Sequence, residues 1–335
     1  MSGVTDNAVS DRDVTEWLVQ MNPADEPVTI EHARTRAHES NLKALANLNP
    51  GLNPAVEQAD EIPADGDAPA IPIKILRPAV SPGSAEADTS ALPTVVYFHG
   101  GGWIVGDVDT HLGQARRICT LARAVVVCVA YRLAPEDRFP AAFDDAVRAT
   151  EWAGSRLGEL GDDDTLIVAG DGSGAQLASS VAIARRDAGL PLAAQLLLYP
   201  VTDVAGRYTD PAVNERYMSR RSVYQRFGLT LETMATFAHA YVDEADASDW
   251  RVSPKRCANL AGVAPAVIHT STLDLLRTEG NFYGDDLRAA GVDAINREFP
   301  SLNHSYFGVG GVSAVADAAA AQAASDLHEL LARRS

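Results

Sequence analysis

The stretch Gly170-Asp171-Gly172-Ser173-Gly174-Ala175-Gln176-Leu177-Ala178 decides how the rest of the chain is interpreted. It follows the apolar run Thr165-Leu-Ile-Val-Ala169 and opens a segment of helical character, which predicts a buried strand that turns sharply into a helix. A serine among small residues in such a turn is typical of a site that presents a nucleophile. The middle position between Gly170 and Gly174 is Gly172, however, and the serine stands one place later, at Ser173.

On both sides of this turn, apolar runs rich in Val, Ile and Leu alternate with helical patterns. The predicted strands cover residues 71–76, 94–98, 125–130, 165–169, 195–199, 266–270 and 294–299. The predicted helices between them cover residues 111–123, 141–156, 174–187 and 275–290. Because nearly continuous apolar strands joined by helices are typical of a parallel sheet covered on both faces, we predict an α/β fold with a mostly parallel sheet. A proline, Pro72, suggests that the first of these strands lies at an edge.

Two segments fall outside the alternation and predict a helical cap. Residues 1–60 carry helical patterns over 13–20 and 30–45, ahead of the first strand. Residues 203–260 interrupt the alternation after a strand, where an insertion would cover the expected site at the carboxyl end of the sheet. The predicted domains are the cap helices in 1–60, the inserted cap segment in 203–260, and a catalytic domain made of 61–202 and 261–335.

Composition excludes several classes of partner. The chain has 335 residues, of which 46% are hydrophobic, and a net charge of −17, which disfavours nucleic acid and anionic membrane surfaces. Its three cysteines, Cys119, Cys128 and Cys257, lack the spacing of a metal site, and the N-terminus lacks an apolar signal core, so we expect a cytoplasmic protein. No dinucleotide or phosphate-loop fingerprint is found, so we expect no cofactor and no metal.

A second motif, His99-Gly100-Gly101-Gly102-Trp103, directly follows the predicted strand 94–98. Consecutive glycines allow backbone N–H groups to point at a bound oxyanion without obstruction by side chains. A simple glycine-rich turn is the plain alternative, but the position after a strand favours an oxyanion hole. The candidate donors are the N–H groups of Gly101 and Gly102.

With these motifs the chain resembles the hormone-sensitive-lipase-like family of α/β-hydrolases. The resemblance extends from about Pro72 to the C-terminus, and it includes the stretches 131–136, 199–203, 252–254, 274–280 and 299–304. It implies a carboxylesterase that acts on small-molecule esters through a Ser-His-Asp triad, and it implies a homodimer. In this family the turn usually reads Gly-Asp-Ser-Ala-Gly-Gly-Asn-Leu-Ala, which assigns the nucleophile position to Gly172 and the third oxyanion N–H to Ser173.

Asp274 and His304 are the acid and the base that the resemblance implies. Each follows a predicted strand, and the chain order of turn, acid and histidine is that of α/β-hydrolases. Taken alone, Asp274 would be interpreted as a surface or helix-capping residue. Ser173 is the alternative nucleophile, but the position two residues before it is then Asp171, whose side chain should clash in a tight turn.

Three hypotheses follow from a glycine at position 172. The first, which the sequence favours, is an esterase whose serine was replaced by engineering, because a long-abandoned site should also have lost Asp274 or His304. The second is a natural enzyme, such as a dehydratase or a cyclase, that uses the same two residues as a base without acylation. The third is a small-molecule binding protein on the same fold. In each case we expect Trp103, the N-terminal helices and aromatic residues between Tyr208 and Tyr241 to shape the pocket.

Overall fold

The computed structural model describes residues 11–14, 16, 29–81, 83–221 and 228–333. Its strands are β1 (Val56–Ile62), β2 (Ile71–Arg77), β3 (Leu92–Phe98), β4 (Val125–Val129), β5 (Asp162–Asp171), β6 (Ala194–Leu198), β7 (Ala266–Leu273) and β8 (Ala294–Asn303). They form one sheet in the order β1-β2-β4-β3-β5-β6-β7-β8. Strand β2 is antiparallel to both of its neighbours, and all other pairs are parallel. The predicted mostly parallel α/β sheet is therefore confirmed.

Helices cover both faces of this sheet. Their bounds are α1 (Ile30–Ala46), α2 (Leu112–Leu121), α3 (Ala141–Gly154), α4 (Leu157–Leu160), α5 (Ser173–Asp187), α6 (Pro211–Asn214), α7 (Leu231–Tyr241), α8 (Arg277–Ala289) and α9 (Ala314–Ala332). Successive side chains of a strand point to opposite faces, and in β3 Val96 and Phe98 enter one hydrophobic core while Val95 and Tyr97 enter the other. Helices α3, α5 and α8 pack on the first face, and α2 and α9 pack on the second.

The sheet differs from the sequence-based prediction at its first edge. Strand β1 was not predicted, and it crosses residue 60, where the predicted cap helices end. It pairs with β2, so the predicted edge position of β2 is wrong. Pro72 is tolerated because it lies near the beginning of β2, where its carbonyl still accepts a hydrogen bond from Ala130 N at 3.0 Å. Strand β8 forms the other edge. The homodimer that the family resemblance implies stays a prediction.

Helix α1 confirms the helical pattern predicted over residues 30–45 and connects it to the glycine loop. Thr29 caps the helix by accepting a hydrogen bond from His32 N at 3.2 Å. Arg34 donates to the carbonyl of Ile104 at 2.9 Å and to that of Ala134 at 3.0 Å. This part of the predicted cap therefore holds the chain just after the glycine motif. The other predicted helix, over 13–20, lies largely outside the described residues.

Candidate active site

The turn between β5 and α5 is tight because backbone segments approach closely at two glycines. A Cβ on Gly170 would lie 2.3 Å from the backbone of Gly174, and a Cβ on Gly174 would lie 2.0 Å from the carbonyl oxygen of Phe98. Neither position has room for a side chain. Gly172 lies midway between them with φ 53° and ψ −115°, a conformation that residues with side chains rarely adopt. The geometry thus centres the turn on residue 172.

Residue 172 faces His304, which follows the carboxyl end of β8. A Cβ on Gly172 would lie 3.5 Å from His304 Nε2 and 3.7 Å from Cε1. On the opposite side of the imidazole, Nδ1 lies 3.0 Å from Oδ2 of Asp274, a residue that is 1% exposed and follows β7. The structure therefore brings the acid, the histidine and the predicted nucleophile position into one row at the carboxyl ends of the strands.

Asp274 fixes both the orientation and the protonation of His304. In the neutral ring the contact with Asp274 favours a proton on Nδ1, which leaves the lone pair of Nε2 directed at residue 172. Burial lowers the pKa of His304, but the charge of Asp274 and its hydrogen bond raise it by more, so the pKa lies above the ordinary 6.5. The arrangement suits a general base that acts in its neutral form, at pH values above this raised pKa.

We expect an NMR titration to give His304 a pKa above 6.5, and Asp274→Asn to lower it. Because a base acts in its neutral form, any activity that uses His304 should fall as the pH drops through this raised pKa. His99 is an internal comparison, since burial, helped by the nearby His111, lowers its pKa to about 4. A pKa of His304 that does not change in the Asp274→Asn variant would contradict the role assigned to Asp274.

The glycine loop after β3 offers free hydrogen-bond donors next to the turn. The N–H groups of Gly101, Gly102 and Ser173 donate no hydrogen bond to any part of the chain that the structure describes. The loop and the turn are in contact, because Trp103 N donates to Ser173 Oγ at 3.3 Å. Free N–H groups on a loop and at the start of a helix are suited to stabilise an oxyanion.

Asp171 joins the glycine loop to the turn, a role that the sequence analysis missed. Its Oδ1 accepts hydrogen bonds from Gly100 N at 2.9 Å and from the Tyr97 hydroxyl at 2.6 Å. The Tyr199 hydroxyl lies 3.4 Å from Oδ2. Asp171 is 4% exposed, so these contacts are shielded from water. No pattern in the sequence indicates them, because the partners come from β3, from the loop after it and from the residue that follows β6.

Asp171→Ala should lower the free energy of unfolding by about 3 kcal/mol, because the Gly100 N–H and the Tyr97 hydroxyl would lose a charged acceptor in a buried site. Asp171→Asn retains an acceptor oxygen and should cost about 1 kcal/mol. Denaturant unfolding of the two variants gives the comparison. Equal losses in the two variants would show that the carboxylate does not hold the loop through these bonds.

The hydroxyl of Ser173 is engaged away from the histidine. The residue is 1% exposed, and its Oγ accepts the hydrogen bond from Trp103 N at 3.3 Å. The alternative nucleophile therefore holds the glycine loop. This contact favours position 172 over position 173 as the nucleophile position.

Trp103 lies in the hydrophobic core, and its predicted contact with the substrate stays a prediction. Its side chain is fully buried, its Nε1 donates to Gln176 Oε1 at 2.9 Å, and its ring stacks on Tyr241 with centroids 4.4 Å apart. An aromatic residue after a glycine motif gives no sequence signal that separates core from pocket. Phe237 of α7 also approaches the glycine loop, since a Cβ on Gly102 would lie 2.0 Å from its ring.

A buried ion pair anchors the inserted segment beside the acid. Arg220 and Glu279 form an ion pair with both side chains fully buried, and Arg220 Nη2 also donates to the carbonyl of Asp203 at 2.8 Å. Next to Arg220, the Ser219 hydroxyl donates to the carbonyl of Leu275 at 2.7 Å. Because Leu275 follows Asp274 in the chain, the insertion is hydrogen-bonded to the loop that carries the acid.

A separate cleft of about 560 Å³ lies at the end of the strands opposite to Gly172 and His304. It lies near the amino ends of β3, β5 and β6, and Pro93, Leu166, Arg185 and Leu192 are among its lining residues. None of the residues that surround Gly172 lines it. We therefore place the candidate active site at the carboxyl ends of the strands, where the acid, the histidine and the free N–H groups meet.

Among the described residues there is no group of three or more His, Cys, Asp or Glu side chains arranged to hold a metal ion. Within the same residues, every helix is too short or too polar to cross a membrane.

Comparisons with known proteins give consistent matches. A family model of the α/β-hydrolase fold matches residues 95–308. The chain is 38% identical to the esterase LipI of Mycobacterium tuberculosis over 75% of this chain and 76% of that protein. It is 39% identical to the carboxylesterase NlhH of the same species over 64% of this chain and 66% of the relative. A solved hyperthermophilic esterase from the archaeon Pyrobaculum calidifontis superposes with a TM-score of 0.82 at 30% identity, covering 96% of this chain and 98% of the other.

Proposed function

We propose, since the chain belongs to the hormone-sensitive-lipase-like family of α/β-hydrolases, that it is a carboxylic ester hydrolase whose covalent route is interrupted at Gly172. The observation that carries the proposal is the distance of 3.5 Å between His304 Nε2 and a Cβ at position 172. A serine hydroxyl on that Cβ would be within reach of the base. The names of the esterase relatives support small-molecule esters as the substrates.

With a serine at position 172, the chemistry would be acyl transfer. The hydroxyl would attack the ester carbonyl, and His304 Nε2 would take its proton and return it to the leaving alcohol, while Asp274 holds the imidazole. The N–H groups of Gly101, Gly102 and Ser173 would stabilise the oxyanion. Water would then hydrolyse the acyl-enzyme with the same base. With glycine at position 172 no oxygen forms the acyl bond, so this covalent route stops after binding.

Two explanations for the glycine at position 172 are supported by different observations. Engineering of one residue is supported by the acid, the base and the oxyanion donors, which remain together around Gly172. Natural divergence is supported by departures from the usual family turn at neighbouring positions, because Gln176 makes its own hydrogen bonds to Trp103 Nε1, to Ser180 Oγ at 2.9 Å and to the carbonyl of Arg251 at 2.7 Å. The sequence alone favoured engineering, but the hydrogen bonds of Gln176 lead us to favour natural divergence, and the codon at position 172 of the parent gene tests the choice.

Covalent labelling tests the proposed nucleophile position. Gly172→Ser should react with a fluorophosphonate probe and carry one adduct, which peptide mass spectrometry should map to residue 172. The unmodified chain should carry no adduct at residue 173, because the Ser173 hydroxyl is engaged with the glycine loop. A folded Gly172→Ser variant that does not react, or an adduct on Ser173 in the unmodified chain, would contradict the proposal.

A further inference from the structure

The acid and the base remain competent in the chain as it stands. His304 Nε2 is directed at residue 172, and no hydrogen-bond partner for this nitrogen is found among the described residues. Apart from the two chain neighbours of Gly172, the described atoms within 4 Å of a Cβ at that position all belong to His304. A small hydroxyl compound could therefore stand where a serine hydroxyl would stand, in contact with the base.

We propose that the unmodified chain catalyses attack on activated esters by an external hydroxyl compound, water or a small alcohol, which His304 deprotonates at position 172. This inference rests on the proposed function, because it requires the same ester-binding site and the same oxyanion donors. It adds an activity in which no acyl-enzyme forms.

The reaction balances without any other reactant. The oxygen of water bonds to the ester carbonyl carbon, and His304 Nε2 takes one proton of that water. The carbonyl oxygen becomes an oxyanion that accepts hydrogen bonds from Gly101, Gly102 and Ser173. The carbon–oxygen bond to the leaving group then breaks, the leaving group receives the proton from His304, and the acid is released. With methanol in place of water, the product is the methyl ester.

The preferred substrates should be esters of phenols or enols. An external nucleophile must be bound and oriented in every turnover, so the route lacks part of the advantage of a serine fixed in the chain. A leaving group that departs with little help from a proton lowers the remaining barrier. Alkyl esters need full proton transfer from His304 to the leaving oxygen, so we expect them to react far more slowly.

Methanol is a sensitive probe because it has the carbon and oxygen of a serine side chain. Added methanol should compete with water at position 172 and convert a phenyl ester into a methyl ester. A Cβ at this position lies 3.5 Å from His304 Nε2. The methyl group of Gly172→Ala should therefore displace both water and methanol from the base without supplying a nucleophile.

The experiment measures hydrolysis and methanolysis of p-nitrophenyl acetate by the unmodified chain, Gly172→Ala, His304→Gln and His38→Gln. His38 is an exposed histidine of α1 and provides the matched control for the histidine change. We expect turnover above the buffer rate in the unmodified chain and in His38→Gln, without a burst and without an adduct. His304→Gln and Gly172→Ala should each lose roughly 10²-fold, the usual contribution of a general base, while thermal melting shows that they are folded.

Several outcomes would overturn the inference: no rate above buffer, an unchanged rate in folded His304→Gln, or an acyl adduct on any residue of the unmodified chain. Each of these is distinguishable from failure of the proposed function. If the unmodified chain is inactive but Gly172→Ser hydrolyses esters, the esterase site stands and only the external route is refuted. If Gly172→Ser is also inactive, the proposed function fails as well.

Discussion

Gly172→Ser should raise kcat/KM for p-nitrophenyl acetate by about 10³-fold over the unmodified chain, because a nucleophile joins a base and oxyanion donors that are already in position. Loss of the nucleophilic serine in serine proteases lowers kcat by as much as about 10⁶-fold, and a restored serine should recover part of this factor. The expected gain is partial because the residues around position 172 differ from the usual family turn. Initial rates over a range of ester concentrations give the comparison.

Two controls separate the hydroxyl from other effects of the substitution. Gly172→Ala adds the same Cβ without oxygen, so it should give no gain. Gly172→Ser combined with His304→Gln should lose most of the gain, because the serine would lack its base. A gain in Gly172→Ala, or one that persists without His304, would show that the new activity does not come from the predicted triad.

Glu279→Gln should lower the free energy of unfolding by about 3–5 kcal/mol, because it leaves the buried guanidinium of Arg220 without the carboxylate of its ion pair. The loss of unfolding free energy caused by Arg220→Met should depend on pH. Burial raises the pKa of Glu279, and Arg220 opposes this rise, so removal of Arg220 raises the pKa further. A carboxyl whose pKa is higher in the folded than in the unfolded protein loses stability as the pH rises above the unfolded value. The cost of Arg220→Met should therefore increase from acidic to neutral pH.

The double variant Arg220→Met with Glu279→Gln is the matched control for the ion pair. It removes both charges, so its cost should be smaller than the sum of the single costs, with a coupling of at least about 1 kcal/mol. Urea unfolding at two pH values measures all three variants. Additive costs, or a cost of Arg220→Met that does not depend on pH, would contradict the assigned pairing.

The sequence predicted those parts of the fold that follow a hydrophobic pattern. Strand β4 is an unbroken apolar run and helix α1 has a capping threonine, and both lie where predicted, within a residue at their ends. Strand β1 was missed because Val56-Glu-Gln-Ala-Asp-Glu-Ile62 is mostly polar and exposed, and its pairing depends on backbone hydrogen bonds to β2. Such a strand carries no periodic apolar signal.

The candidate site was predictable where short motifs specify backbone geometry, and not where distant side chains meet. The glycine motif and the chain order of Asp274 and His304 indicated the residues that meet at the candidate site. Arg220 and Glu279 are 59 positions apart, and neither lies in a motif that indicates a partner. The burial of Trp103 likewise depends on Tyr241 and Gln176, which approach it from different helices.

The positive φ of Gly172 has an evolutionary consequence. Any residue with a side chain would hold this backbone conformation at a cost of about 1–3 kcal/mol, whereas glycine adopts it at little cost. Loss of a serine here would thus have made the protein more stable at the moment that it lost its nucleophile. Regaining the serine would require a lineage to accept lower stability first. Replacement of serine by glycine is therefore easier under natural selection than the reverse replacement.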